Sequence, residues 1–402
     1  MVRLTLCLIA LSISVNAHAE SSASATTTID TRGFRSGSSH WRNINEPNRV
    51  IQPLADQPVY APSQIAEIAA NIRLFQRDNG GWPKDYDMLA VLTPEQVEAV
   101  RASHDRSDTS FDNGNIHSQV DYLAKAFTAL GNPADRDACL RGFDFMLAAQ
   151  YPNGGFPQRW PKPKGFPAHI TFNDGVMIGI LNVFEDAATN APHFAWLDDA
   201  RREKARSAVQ RGIECILKCQ IRVDDQLTGW CQQHDEKTFA PASARTFELA
   251  SCCPQDTTEI CRFLMRATKP AADVRQAIES AATWLKKVQL DGIRVEKAKA
   301  EHVEFYRHKT DDDFVVVTDK SAPPLWARHY EIGTDRPIFA SRDGVKVYSF
   351  AELDRERRTG TPWYGSWPLK LLEDDYPLWK ASLTSVPKTE RERSRNRSRD
   401  AR

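Results

Sequence analysis

The segment RGFDFMLAAQYPNGGFPQ, residues 141–158, decides the fold, because its pattern comes back along the chain. Its first half carries apolar residues at three- and four-residue spacing, the mark of an amphipathic helix. The helix stops at Gln150, and Asn153-Gly154-Gly155-Phe156-Pro157 makes a turn that brings an aromatic back. Glycine supplies the positive φ that such a turn needs. AEIAANIRLFQ ends at Gln76 and is followed by Asn79-Gly80-Gly81-Trp82-Pro83. SAVQRGIECILKCQ ends at Gln220 and is followed by Thr228-Gly229-Trp230. VRQAIESAATWLKKVQ ends at Gln289, with Asp291-Gly292-Ile293 as a degenerate fourth copy. The glutamines are 74, 70 and 69 residues apart.

A second helix is expected after each aromatic loop. The first begins near Asp112, the next near Asp174 and the third near Ala242, each preceded by a phenylalanine (Phe111, Phe172, Phe239). A period near 70 with two helices per unit implies stacked helical hairpins. The predicted fold is therefore mainly α: an α/α toroid of helical hairpin repeats with a smaller β-containing part. That part is expected around 292–350, where runs such as Phe314–Val317 and Val345–Tyr348 are rich in β-branched and aromatic residues. The segment from Cys252-Cys253 to Cys261 reads as an insertion or variant helix.

The two ends read differently from the middle. Arg3, the apolar stretch Leu4 to Val15 and Ala17-His18-Ala19 form a signal-peptide pattern over 1–19, too short to span a bilayer. Residues 20–36 are Ser/Thr/Ala-rich and read as a flexible leader, and 383–402 as a charged, disordered tail. Between them, 37–382 is expected to be one catalytic domain. The protein is accordingly expected to be exported, with no membrane contact after cleavage, and to be a monomer. Lys plus Arg and Asp plus Glu are both 53, so nothing global points to nucleic acid. Of the eight cysteines, seven lie beyond Cys7. An odd number in an oxidising compartment leaves at least one thiol unpaired, and the pairing cannot be deduced.

The repeat phase puts the loops after the first helices and the starts of the second helices on one rim. Asp112, Asp174 and Arg245 fall there together, although Asp is also a favoured N-cap residue. Carboxylates and amides at the rim (Asp112, Asn113, Asp174) suit a hard cation such as calcium. Lys164, Arg328, Arg336 and Arg342 suit carboxylate recognition, and Trp82 and Trp230 suit stacking on sugar rings. His117 shares a helix face with Asn113. Such a rim describes a groove for an acidic sugar polymer.

Several long motifs then resemble a known family. Asp112-Asn113-Gly114-Asn115-Ile116-His117-Ser118-Gln119-Val120, Tyr151-Pro152-Asn153-Gly154-Gly155-Phe156-Pro157-Gln158 and Thr171-Phe172-Asn173-Asp174-Gly175 are similar to polysaccharide lyase family ten, the pectate lyases. So are Gly229-Trp230-Cys231-Gln232-Gln233-His234-Asp235, Pro241-Ala242-Ser243-Ala244-Arg245 and the run from Tyr330 to Phe339. The resemblance covers about residues 60–370. It implies an α/α toroid, calcium, a polygalacturonate substrate and anti β-elimination. It implies that Asp112, Asn113 and Asp174 gather at the calcium, that Arg245 is the Brønsted base, and that Arg328 and Arg342, with Arg336 competing, contact substrate carboxylates. Two other readings remain: an inverting glycoside hydrolase using Asp112 and Asp174 as its carboxylate pair, and a non-catalytic pectin-binding protein.

Overall fold

The computed structural model describes residues 28–384. Its α-helices are α1 (Arg35–Asn43), α2 (Ile65–Phe75), α3 (Pro94–Arg101), α4 (His117–Leu130), α5 (Pro133–Ala149) and α6 (Val176–Ala188). They continue with α7 (Asp199–Cys219), α8 (Pro254–Leu264), α9 (Ala272–Lys287), α10 (Arg355–Gly360) and α11 (Tyr376–Thr384). Local chemistry sets several boundaries. Asp198 accepts from the Arg201 backbone N–H at 2.9 Å to cap α7, and Pro133 and Pro254 open α5 and α8, where a missing N–H costs nothing. Gly131, at φ 70°, closes α4.

The helices form two layers of an α/α toroid. In the outer layer α2 packs on α5, α5 on α7 and α7 on α9; in the inner layer α4 packs on α6 and α6 on α8. α6, apolar almost all round, is buried along most of its length.

The repeated glutamine explains the period. The Gln76 amide donates to Gly80 O and Ala138 O, both at 2.9 Å. Gln150 donates to Gly154 O and Ala208 O, and Gln220 to Thr228 O and Ala277 O, at 2.8–3.0 Å. Each side chain thus ties its own loop to the next outer helix. Arg141 and Arg211 donate to the free amide oxygens of Gln76 and Gln150. The loop aromatics are the second half of the device. The indoles of Trp82 and Trp230 donate to Ile72 O and Ile216 O, both at 2.7 Å, four residues before the respective glutamines. The fourth copy is completed by Trp326, which donates to Leu285 O at 2.7 Å. Ile293 does not fill that place: it begins the hairpin that lies between the fourth helix and its aromatic.

That hairpin is the β-containing part. Ile293–Glu304 pairs antiparallel with Lys309–Thr318, from Ile293 opposite Thr318 to Glu304 opposite Lys309. A small second core of Phe339, Phe350, Leu353 and Trp363 lies beneath it. Among the described residues, no helix is long and apolar enough to cross a membrane. The seven cysteines from Cys139 to Cys261 are buried thiols.

Two sequence expectations shift. The third inner helix does not start near Ala242; residues 242–253 are irregular and the helix is α8. Pro254 and Asp256 supply the helix start, while Phe247 and Glu248 point inward to hold guanidinium groups. Of the Cys252–Cys261 stretch, the part from Pro254 on is therefore a regular member of the inner layer. The leader expected over 20–36 is also shorter, because Arg32–Phe34 and α1 are helical and Phe34 and Trp41 are buried. The segment 1–19 and the tail beyond 384 lie outside the described residues.

Replacing Gln220 by Leu leaves the partly buried Thr228 carbonyl without its side-chain donor and removes a second bond to the Ala277 carbonyl, which keeps its partner within α9. The expected cost is about 2 kcal/mol, since an unsatisfied buried group costs ~1–3 kcal/mol. Urea unfolding measures it, and a loss below about 1 kcal/mol would mean that the cross-link is incidental.

Candidate active site

Two matching turns build the centre of the rim. Phe111-Asp112-Asn113-Gly114 and Phe172-Asn173-Asp174-Gly175 lie 61 residues apart in the sequence. Each folds as a single 3-10 turn, anchored by its phenylalanine at 0% and 1% exposure. Each has its third residue in the left-handed region, Asn113 at φ 59° and Asp174 at φ 54°. Asn and Asp tolerate that conformation better than other non-glycine residues. The turns pack against each other ahead of α4 and α6. Their order is permuted: Asp112 is structurally equivalent to Asn173, and Asn113 to Asp174. The permutation brings the two carboxylates face to face, and Asp112 and Asp174 share a hydrogen bond.

The pair behaves as two negative charges forced together. Burial opposes ionisation of Asp112, but the Lys84 ammonium, 2.5 Å from its Oδ2, holds the carboxyl down to about 2. Burial, and behind it the Asp112 carboxylate, pushes Asp174 well above the usual range. Two like charges so close cannot both ionise cheaply, so the second of them, Asp174, is pushed toward its protonated form.

The shell around the pair is polar and well connected. Gln158 Nε2 donates to Asp112 Oδ1 at 3.0 Å, and Asn173 Nδ2 to Asp174 Oδ2 at 2.7 Å. Asn173 Oδ1 accepts from Gln232 Nε2 at 2.9 Å and from Arg328 Nη2 at 3.2 Å. Arg328 is buried, and its charge also reaches Asp174 and Asp256. Asn113 faces away from the carboxylate pair in its hydrogen bonding: Nδ2 donates to Asp85 Oδ1 at 2.7 Å and Oδ1 accepts from Ser36 Oγ at 3.1 Å. Its expected place among the metal ligands would require it to exchange those partners.

Arg245 lies in the 242–253 loop, near enough for its guanidinium to feel both Asp112 and Asp174. Glu248 holds it in a two-pronged pair, 2.7 Å from Nε and 2.5 Å from Nη2. Burial works against its charge, but Glu248 and then the two aspartates more than offset this and raise its pKa. The Phe247 ring is a shared platform. The guanidinium carbons of Arg245, Arg342 and Arg357 lie 4.8, 5.6 and 4.4 Å from its centroid. Glu356 pairs with both Arg342 and Arg357.

Asp112, Asp174, Arg245 and Arg328 thus converge, and Arg342 joins them through Phe247. The other expected site residues do not converge with them. Arg336 is exposed and stacks on Tyr348 at 3.7 Å. Lys164 is exposed on the 161–169 loop, with no hydrogen bond or ion pair among the described residues. The His117 ring packs against Gly179, its Nε2 buried without a hydrogen-bond partner. Trp82 and Trp230, both 0% exposed, are core residues serving the outer helices and do not face the groove. Burial works against the same spacing that marks them as a repeat. Gln158, Gln232, Glu248 and Phe247 were not singled out from the sequence, although Gln158 and Gln232 lie inside the long motifs.

A hard divalent cation fits Asp112 and Asp174. The donors are all oxygen, and a cation would cancel the repulsion that raises Asp174. Elsewhere, Asp121, Asp186 and His193 form a cluster, but Lys125 and Arg266 already neutralise its carboxylates. His169, Asp235 and Glu236 form another.

A family model described as pectic acid lyase matches residues 76–372. The fold is similar to the family 10 polysaccharide lyase from Cellvibrio cellulosa, with TM-score 0.65 and 28% identity over 77% of this chain and 90% of that one. An aspartate-to-alanine mutant of that enzyme, in complex with trigalacturonic acid, gives TM-score 0.65 and 27% identity over 77% and 91%. No curated protein sequence matches.

The raised folded-state pKa of Asp174 means that its contribution to stability falls as pH rises above the ordinary carboxylate range; the depressed Asp112 loses its contribution only as pH falls toward about 2. Asp174→Asn in chelator should therefore melt a few degrees above the parent at about pH 8 and level with it near pH 4. Equal melting at both values would remove the repulsion from the account.

Proposed function

Because the chain belongs to the pectic acid lyase family, we propose that it cleaves polygalacturonate by calcium-assisted anti β-elimination, as an exported monomer whose catalytic unit spans 37–382. The hydrogen-bonded pair of Asp112 and Asp174 carries this reading. The trigalacturonic acid complex of the similar lyase supports the substrate. The leader pattern over 1–19 supports export.

Asp112 and Asp174 would hold the calcium, whose Lewis acidity toward the uronate carboxylate stabilises the enolate-like charge that develops beside C5. Arg328, buried beside Asn173, and Arg342, on the Phe247 platform, are the cations that pair with neighbouring uronates. Arg159, whose charge reaches Lys84, adds positive charge beside the carboxylate pair. Arg245 removes the C5 proton. The C5–H electrons form the C4–C5 double bond, the C4–O bond breaks, and water protonates the departing oxygen. The Glu248 pair keeps Arg245 protonated, so the neutral base is scarce and its share grows with pH. The rate should climb through the alkaline range, and Glu248→Gln should move that climb to lower pH.

The geometry speaks against hydrolysis. Glycoside hydrolases keep their carboxylates ~5–10 Å apart, with a sugar or water between them. Asp112 and Asp174 touch.

Polygalacturonate at alkaline pH, followed in the ultraviolet, tests the reading: absorbance of the unsaturated product should rise with calcium and stop with chelator. Reducing ends without absorbance would mean hydrolysis. Arg245→Ala should lower turnover by about 10³-fold or more while leaving substrate binding in place. Equal loss of both would make Arg245 a binding residue only.

A further inference from the structure

Lys84 stands between two carboxylates. Its Nζ is 2.5 Å from Asp112 Oδ2 and 3.3 Å from Asp85 Oδ2. Gln158, a neutral donor, takes Oδ1, so Oδ2 is the oxygen on which the ammonium sits. A divalent cation taking Asp112 Oδ2 must therefore displace it, because two cations cannot share one carboxylate oxygen at contact without strong repulsion. Asp85 is built as the alternative. Its side chain is 9% exposed, and its Oδ1 is fixed by Asn113 Nδ2 at 2.7 Å, which leaves Oδ2 toward the lysine. The lysine needs only a short swing on a flexible stem to trade Asp112 for Asp85.

We propose that Lys84 competes with calcium for Asp112 and that Asp85 receives the displaced ammonium, so that this pair sets the cation affinity of the site. The inference rests on the calcium reading above and adds residues to which it gives no role. The arrangement has a chemical use. The ammonium stabilises a carboxylate pair that would otherwise repel, at the cost of weaker metal binding. A weakly bound cation is retained best when a substrate carboxylate adds a further oxygen ligand, which couples cation binding to pectate binding. Lys84 also explains why Asp112 and not Asp174 carries the charge of the pair, since its ammonium touches Asp112 alone of the two.

Calorimetric titration of calcium into the full chain tests this directly, with no substrate present. Lys84→Met should bind calcium about tenfold more tightly than the parent, the loss of one displaced charge-assisted contact. Lys84→Gln should do the same in weaker form and guards against a folding defect in the first variant. Asp85→Asn should weaken calcium several-fold in the parent and have no effect in the Lys84→Met background, because no ammonium is left to receive. Unchanged or weaker affinity in both Lys84 variants would overturn the proposal. So would additive effects of the two substitutions, or the absence of calcium binding in every variant. Failure of the lyase reading shows separately, as missing ultraviolet absorbance with an intact calorimetric result.

Discussion

Three glutamine side chains hold the toroid in phase. Each sits where an outer helix ends, where carbonyl groups lose their helical partners, and each spends both amide hydrogens on backbone oxygens: one in its own loop, one in the next outer helix. A cross-link of that kind fixes the loop and the neighbouring helix in one step. The indole or phenyl ring that follows fills the space under the loop. With loops and helices locked in register, the inner helices must all begin at the same level. The rim is a consequence of that register, and so is the meeting of residues far apart in sequence.

The site then depends on a small asymmetry in an otherwise repeated turn. Two Phe-x-x-Gly turns exchange the order of Asp and Asn, and this places a carboxylate from each on the same spot. The result is costly for the fold. Asp174 is pushed toward its neutral form, and Asp112 stays charged because Lys84 is at its side. Local strain of this electrostatic kind is what a cation-binding centre looks like before the cation is considered. The arginines face a similar tension. Three guanidinium groups crowd one phenyl ring, and Glu248 and Glu356 keep them there. A surface so arranged favours a polyanion over a neutral sugar chain.

The helices, their period and the shared rim were legible in the sequence, because an amphipathic pattern that returns every 70 or so residues is what stacked helical hairpins require. Asp112 and Asp174 could be placed on the rim for the same reason, whereas Arg245 is placed there by a helix start near Ala242 that the fold does not have, and Arg328 by its guanidinium and the family resemblance. The third inner helix starts later than the repeat predicts because Phe239 stands where the repeat has its phenylalanine, and only the packing shows that Phe247 and Glu248 are needed to hold guanidinium groups. Trp82 and Trp230 look like sugar platforms in the sequence because aromatic residues beside a glycine turn look alike whether they point out or in. Their backbone hydrogen bonds, which decide the matter, depend on a helix ten or more residues upstream. Asn113 suits a hard cation by its amide oxygen, yet its side chain is already bonded to Asp85 and Ser36, partners 28 and 77 residues away that spacing does not reveal. The rivalry of Lys84 and a metal ion for one oxygen could not be read from spacing at all.

Anomalous scattering from a crystal soaked in calcium is the most direct test. The account predicts a peak at about 2.3–2.6 Å from oxygens of both Asp112 and Asp174. A peak confined to the Asp121, Asp186 and His193 cluster, or no peak beside a well-ordered Asp112 and Asp174, would contradict it.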